Sequence, residues 1–234
     1  MPSPAPVAPG PTSLWRRRDD YDQHAERPHL RGWIHAATAP LALAAGIVLI
    51  CLAPGVAGKL TTTVYSFTAL LLFTVSAVYH RGRWSPTVKR VLKRLDHTNI
   101  MLIIAGTYTP LAWFLLPRAH AEILLTGVWA GAILGVLFRL FWTDAPRWLY
   151  TPVYCLLGLA ALLFLGDFFA ADVAAAVLVC AGGALYIAGA VFYALKRPNI
   201  SIRWFGFHEL FHAFTVGGFT CHLIAVFMAV LDAR

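Results

Sequence analysis

Three histidines and an aspartate, His80, His208, His212 and Asp96, fall within or at the ends of long apolar runs. An ionisable group in such a run is costly in lipid and marks a functional site by default. Three neutral imidazoles make a zinc ligand set that leaves a fourth position open to water or substrate. Zinc held this way brings the pKa of bound water to about 7 and acts as a Lewis acid. Asp96 suits a proton acceptor, or a hydrogen-bond partner for a ligating imidazole. Ser76 precedes His80 by one helical turn and offers its hydroxyl to the same water or to a substrate oxygen. His208 and His212 are i and i+4, so they share one helix face. The rival account is a set of core histidines satisfied by helix–helix hydrogen bonds. Convergence of four such groups at one depth favours a site. Imidazole also suits copper, iron and nickel, so Zn²⁺ rests on the three-histidine pattern.

The elements that hold these residues are membrane helices. Of the 234 residues, 59% are hydrophobic and 13% charged, against about 25% charged in soluble domains. A spanning helix needs about 20 mostly apolar residues. Seven segments qualify: 33–53, 60–80, 95–116, 122–141, 149–168, 172–195 and 205–231. The fold class is therefore an all-α integral membrane protein, a seven-transmembrane-helix bundle. Residues 1–20, Pro- and Ala-rich, read as a disordered cytoplasmic tail, and 21–234 as one membrane domain. No signal peptide is expected, and the first helix stays as an anchor. Cys51, Cys155, Cys180 and Cys221 lie in apolar segments without a CxxC pair and read as free, buried thiols.

Charge orients the bundle. Alternate connections fall on alternate sides, and one side collects Arg16, Arg17, Arg18, Arg27 and Arg31 from the start of the chain. Six more follow between Arg81 and Arg94, then Arg139, Arg147, Lys196, Arg197 and Arg203. That makes 16 of the 19 basic residues, leaving Lys59, Arg118 and Arg234 for the other side. The positive-inside rule puts the N-terminus in the cytoplasm and the C-terminus outside. Trp33, Trp84, Trp142, Trp148 and Trp204 fall at the cytoplasmic helix ends, as an interfacial belt does. The net charge of +8 is then topological. It attracts anionic lipid headgroups at the cytoplasmic face and does not call for nucleic acid. With this orientation His80, Asp96, His208 and His212 meet at the cytoplasmic side from three different helices.

His208-Glu209-Leu210-Phe211-His212 also reads as HExxH, the zincin pair with a catalytic glutamate. A metalloprotease needs a third protein ligand, and the best candidate is His80 rather than a downstream acid. Glu209 also lies about 100° around the helix from His208, so the match is treated as fortuitous.

Taken together, Ser76-Ala-Val-Tyr-His80, Leu95-Asp96-His97-Thr98 and His208-xxx-His212 resemble the signature motifs of the hemolysin III family, within the progestin/adiponectin receptor (PAQR) superfamily. The flanks RGWIHAATAPLALAAGIVL, IAGTYTPLAW and FGFHELFHAFTVGGFTCH resemble bacterial hemolysin III proteins. The resemblance runs over about residues 27–231. It implies a seven-helix bundle with a cytoplasmic N-terminus, zinc on His80, His208 and His212, and supporting roles for Ser76 and Asp96. The wider superfamily includes alkaline ceramidases, which implies hydrolysis of a lipid amide or ester in the inner membrane, a role in lipid homeostasis. Two other readings stand beside it: a non-catalytic, zinc-stapled membrane sensor, and a pore-forming hemolysin. Helices four to six carry almost no polar face, which weighs against a pore.

Other residues take structural expectations. His97 reads as interfacial, His35 as a second headgroup contact, and His222 as a hydrogen-bonded core histidine. Glu26 is expected to pair with Arg27 or Arg31. Pro110 is expected to kink the third helix, with threonine hydroxyls satisfying the freed carbonyls. Gly131, Gly135, Gly182 and Gly183 are expected to permit close helix packing.

Overall fold

Proline, glycine and capping side chains set where each helix begins. The structure, a computed structural model, describes residues 28–142, 147–201 and 203–234. The expected tail, Glu26, Arg27 and the Trp148 side chain lie outside the described residues. Helix α1 (Trp33–Leu52) and α2 (Gly55–Arg81) meet at Pro54, with Gly55 at φ 64°. Helix α3 (Pro86–Leu115) starts at Ser85, whose hydroxyl accepts from the Val88 N–H at 3.4 Å, with Pro86 in the first turn. Pro117 precedes α4 (Arg118–Phe141). Asp172 caps α7 (Val173–Leu195), accepting from the N–H groups of Ala174 at 2.8 Å and Ala175 at 3.1 Å. Gly206 precedes α8 (Phe207–Asp232).

The fifth crossing is composite. Helix α5 (Arg147–Gly158) passes into a 3-10 segment, Leu159–Phe164, and then α6 (Leu165–Ala171). A change of helix type frees backbone groups, which lipid cannot satisfy. Tyr108 of α3 meets this need: its hydroxyl donates to the Gly158 carbonyl and accepts from the Ala161 N–H at 3.0 Å.

Seven spans long and apolar enough to cross a bilayer result, among the described residues. Helix α3 is the central post: 72% of its apolar window is buried, against 17–44% for the other spans. It packs on α2, α4 and α8, while α1 packs on α2 and α8, and α7 on α8. Large apolar side chains such as Leu41, Phe67, Phe141 and Leu163 face outward, as a lipid-facing surface requires.

Three expectations need correction. Residues 86–94, expected in a connection, belong to α3, which starts at Pro86, because Ser85 and Pro86 open a charged helix that hydropathy alone does not detect. Thr107 and Thr109 donate to the carbonyls of Ile103 at 2.7 Å and Ala105 at 2.8 Å, not to the Gly106 carbonyl that Pro110 leaves without its N–H partner. Helix α3 nevertheless runs unbroken through Pro110. Cys51 is exposed on the outer surface of α1, and the other three thiols are half-buried; all four are free. Close packing does hold at Gly135, against Met101, and at Gly182, against His222 and Gly218. Gly131 faces Leu157, whereas a Cβ on Gly183 would meet open space.

Candidate metal centre

The C-terminal turns of α2 carry Ser76 and His80 on one face, the third turn of α3 carries Asp96, and the first turns of α8 carry His208 and His212. The structure brings all five together. The ligand nitrogens of His80, His208 and His212 lie within 4.8 Å of one another. The ring centroids form a near-equilateral triangle: 4.7 Å for His80–His208, 5.1 Å for His80–His212 and 4.7 Å for His208–His212. His80 Nε2 and His208 Nε2 are 3.2 Å apart. Two nitrogens sharing a tetrahedral zinc at 2.0–2.1 Å sit roughly 3.3 Å apart. That spacing also permits a hydrogen bond between the two rings. The convergence of the third imidazole is what a metal requires and a pairwise hydrogen bond does not. This donor set, three imidazoles and no thiolate, fits Zn²⁺ with an open position.

Asp96 Oδ2 is 3.8 Å from His80 Nε2, too far for a hydrogen bond and near enough to attract an ion pair. The buried Ser76 hydroxyl donates to the Asp96 carboxylate, so Ser76 holds the acid rather than standing alone. His212 is 2% exposed and His80 9%, while His208 is half-buried.

His35, expected at a headgroup, is 2% exposed instead. Its ring stacks on His212 at 3.9 Å and 7°, with the Phe73 edge at 5.1 Å. Its position in the first turn of α1 points inward because α1 packs against both α2 and α8. Among the described residues neither ring nitrogen has a hydrogen-bond partner. His97 stays out of the cluster and contacts the Lys93 carbonyl through Nδ1 at 2.7 Å. His222 is a hydrogen-bonded core histidine, with Nε2 3.1 Å from the Val179 carbonyl.

Glu209 is fully occupied elsewhere. One carboxylate oxygen accepts from the Gly206 N–H at 2.8 Å, capping α8, and the other pairs with Arg31 Nε. With 1% exposure and both oxygens so committed, it is not the free carboxylate that an HExxH base must be. Arg31 thus pairs with Glu209 across the bundle. The link also ties the segment before α1 to the start of α8, where the His29 N–H donates to the Arg203 carbonyl at 2.9 Å. Sequence reasoning missed this cap, although Glu209 stands at the third position of its helix, where a capping glutamate belongs.

From the cluster a cavity of about 760 Å³ runs into the bundle. It is within the size of small-molecule sites. His80, Asp96 and His208 line one end; Thr107, Tyr108, Leu111 and His222 line it farther in. His222 follows His208 along α8 by about 21 Å at 1.5 Å per residue. The buried Arg139 also lines it, and sequence reading counted that residue only as one positive charge.

Fold and site together define a multi-pass membrane protein with a metal-competent histidine cluster at one end of a seven-span bundle. The family model described as Haemolysin-III related matches residues 23–223, and the chain belongs to that family, part of the PAQR superfamily. It is similar to Hemolysin-3 of Bacillus cereus, 30% identical over 201 residues, covering 84% of this chain and 89% of that one. It is also similar to the Hemolysin-3 homolog of Bacillus subtilis (strain 168), 31% identical over 157 residues, covering 67% of this chain and 70% of the relative.

Proposed function

We propose that this protein is a zinc-dependent hydrolase of lipid amides or esters that serves membrane lipid homeostasis, with its N-terminus and its site at the cytoplasmic face. One observation carries the reading: a three-histidine cluster opens directly onto a long, mostly apolar cavity. A structural metal needs no such cavity, and a soluble substrate needs no apolar one.

His80, His208 and His212 would hold the ion. Bound there, zinc supplies Lewis acidity towards a carbonyl oxygen and acidifies a water. The residues of the chain do the rest. The apolar walls hold an acyl chain, place its carbonyl at the cluster and exclude bulk water. Asp96 accepts a proton at Oδ2 and returns it to the leaving group. Ser76 fixes the carboxylate for that exchange by donating its hydroxyl. His35 packs flat on His212 and limits the tilt of that ring.

The test is turnover of a panel of amide and ester lipids by purified protein. Hydrolysis that requires metal and is lost in His80→Ala supports the reading. Metal-loaded wild type that cleaves no lipid in the panel overturns it.

A second reading has its own observation. Helices α2 and α8 are not among the closely packed helix pairs, yet the cluster joins them. Metal there would staple the two helices in a non-catalytic sensor. Asp96→Asn separates the readings, since a staple tolerates it. The relatives are named hemolysins, but apolar side chains dominate the deep cavity wall, which gives no continuous polar path for a pore. Ion flux in liposomes that survives metal removal would restore that third reading.

A further inference from the structure

Besides Arg31, three cations line the same cavity as the histidines: Lys89 and Lys93 from α3 and Arg139 from α4. Lys89 and Lys93 are i and i+4, so they share one face of α3. A second, shallower recess on the surface is lined by Tyr79, Pro86, Lys89, Arg90 and Lys93. Tyr79, Lys89 and Lys93 border both spaces, so the lysines stand where the cavity meets the surface. Arg139 lies deeper, in the last turn of α4, and is 1% exposed.

The balance of charge at this end is positive. A fourth lining cation, Arg31, is committed to Glu209. Asp96 is the one carboxylate lining the cavity among the described residues, and it sits on the histidine side, held by Ser76. Farther in, from Ile100 to Leu111 on α3 and along α7, the lining carries no charged residue. A charge-bearing end joined to an apolar body is the imprint of an amphiphile. The lysines stand at the membrane surface, and the Arg139 guanidinium joins them from inside the bundle, 1% exposed. Two ammonium groups and a planar fork together suit the several oxygens of a phosphate.

We infer that the cavity takes an acyl lipid with a phosphate-bearing headgroup, the phosphate lying among Lys89, Lys93 and Arg139 and the chain along the apolar walls. On the hydrolase reading, on which this clause rests, the scissile amide or ester then lies at the histidines, between headgroup and chain. The headgroup site itself stands without that reading.

The experiment measures binding by zinc-loaded protein in a neutral detergent, through displacement of a fluorescent acyl probe. The competitors are a lysophosphatidate, the monoacylglycerol of the same chain, and inorganic phosphate. Wild type should bind the lysophosphatidate about tenfold or more tightly than the neutral lipid, as charge-assisted bonds imply. Lys89→Gln/Lys93→Gln should abolish the preference and leave monoacylglycerol binding unchanged. Both residues lie on the accessible rim, so this variant should fold even where Arg139→Gln does not. Equal binding of the two lipids, or a preference that survives the double variant, overturns the proposal. Inorganic phosphate displacing the probe as well as the lysophosphatidate does would show a free-anion site and overturn the lipid half. His80→Ala separates the two claims: turnover should vanish while the headgroup preference stays. A preference without turnover of any lipid leaves the phosphate site standing and removes the hydrolase; turnover of neutral lipids with no preference does the reverse.

Discussion

Asp96 is the residue on which the proposed hydrolase and the metal-staple reading part company. Its carboxylate lies 3.8 Å from His80 Nε2 and is not one of the three nitrogen donors. Asp96→Asn should therefore keep metal, at about one zinc per chain by elemental mass spectrometry, as four-coordinate sites do. It should lower lipid turnover by about 10²–10⁴-fold, the usual range for a lost acid–base group. His80→Ala and the pair His208→Ala/His212→Ala should both lose the metal. A metal-free, chelator-resistant wild type would leave the histidines as hydrogen-bonded core residues. Glu209 makes a different case at the same scale. Glu209→Ala strips the α8 cap and leaves the half-buried Arg31 without its carboxylate, which should cost up to about 3 kcal/mol. Replacing both with leucine should recover most of that, because a buried ion pair is often no better than an apolar pair. Thermal unfolding of the detergent-solubilised variants reads both outcomes.

Among the elements, the entry to α1 controls the site from a distance. Gly32 has φ 78°, and a Cβ there would come within 2.8 Å of the His80 Cβ. Gly32→Ala meets both the left-handed backbone, at about 1–2 kcal/mol, and that clash. It should weaken zinc affinity about 10–100-fold, as loss of a support outside the ligand shell does. A chelator competition titration would read this, and unchanged affinity would show that His80 does not depend on this approach. Helices were legible in the sequence to the extent that they are apolar. Residues 33–53 and 172–195 match α1 and α7 closely because lipid-facing helices announce themselves by hydropathy. The first turns of α3 did not, since Lys89, Arg90, Lys93 and Arg94 read as a loop charge run, although Ser85-Pro86 is a legible start signal. The 3-10 segment at 159–164 left no trace, because its cause is the Tyr108 hydroxyl on another helix.

Across the molecule, the depth of the site was legible because alternation of seven spans places His80, Asp96 and His208 at the same end. What each side chain faces was not, because hydropathy does not fix the rotation of a helix about its axis. His35 and Arg139 turn inward only through packing of α1 on α8 and of α4 on α3. The cavity allows a global test. Gly183 lines it, and a side chain there would enter open space. Gly183→Phe should fold, bind metal normally and lose turnover of long-chain lipids while retaining short ones. Equal loss at every chain length would argue that the chain lies elsewhere. Reporter fusions at each end check the orientation: a cytoplasmic signal at the N-terminus and an external one at the C-terminus are expected.

His80 and His208, whose Nε2 atoms meet in the cluster, are 128 residues apart in the chain. Helices are made in order, and the final one brings two of the three imidazoles together with Glu209, the partner of Arg31. Until it enters the bilayer, the nascent protein presents a single imidazole and an uncompensated guanidinium. On the proposed metal reading, capture of the ion would mark completed biogenesis: a chain cut short before α8 would be unmetallated and would leave Arg31 without its carboxylate, which gives cellular quality control a sharp difference to recognise.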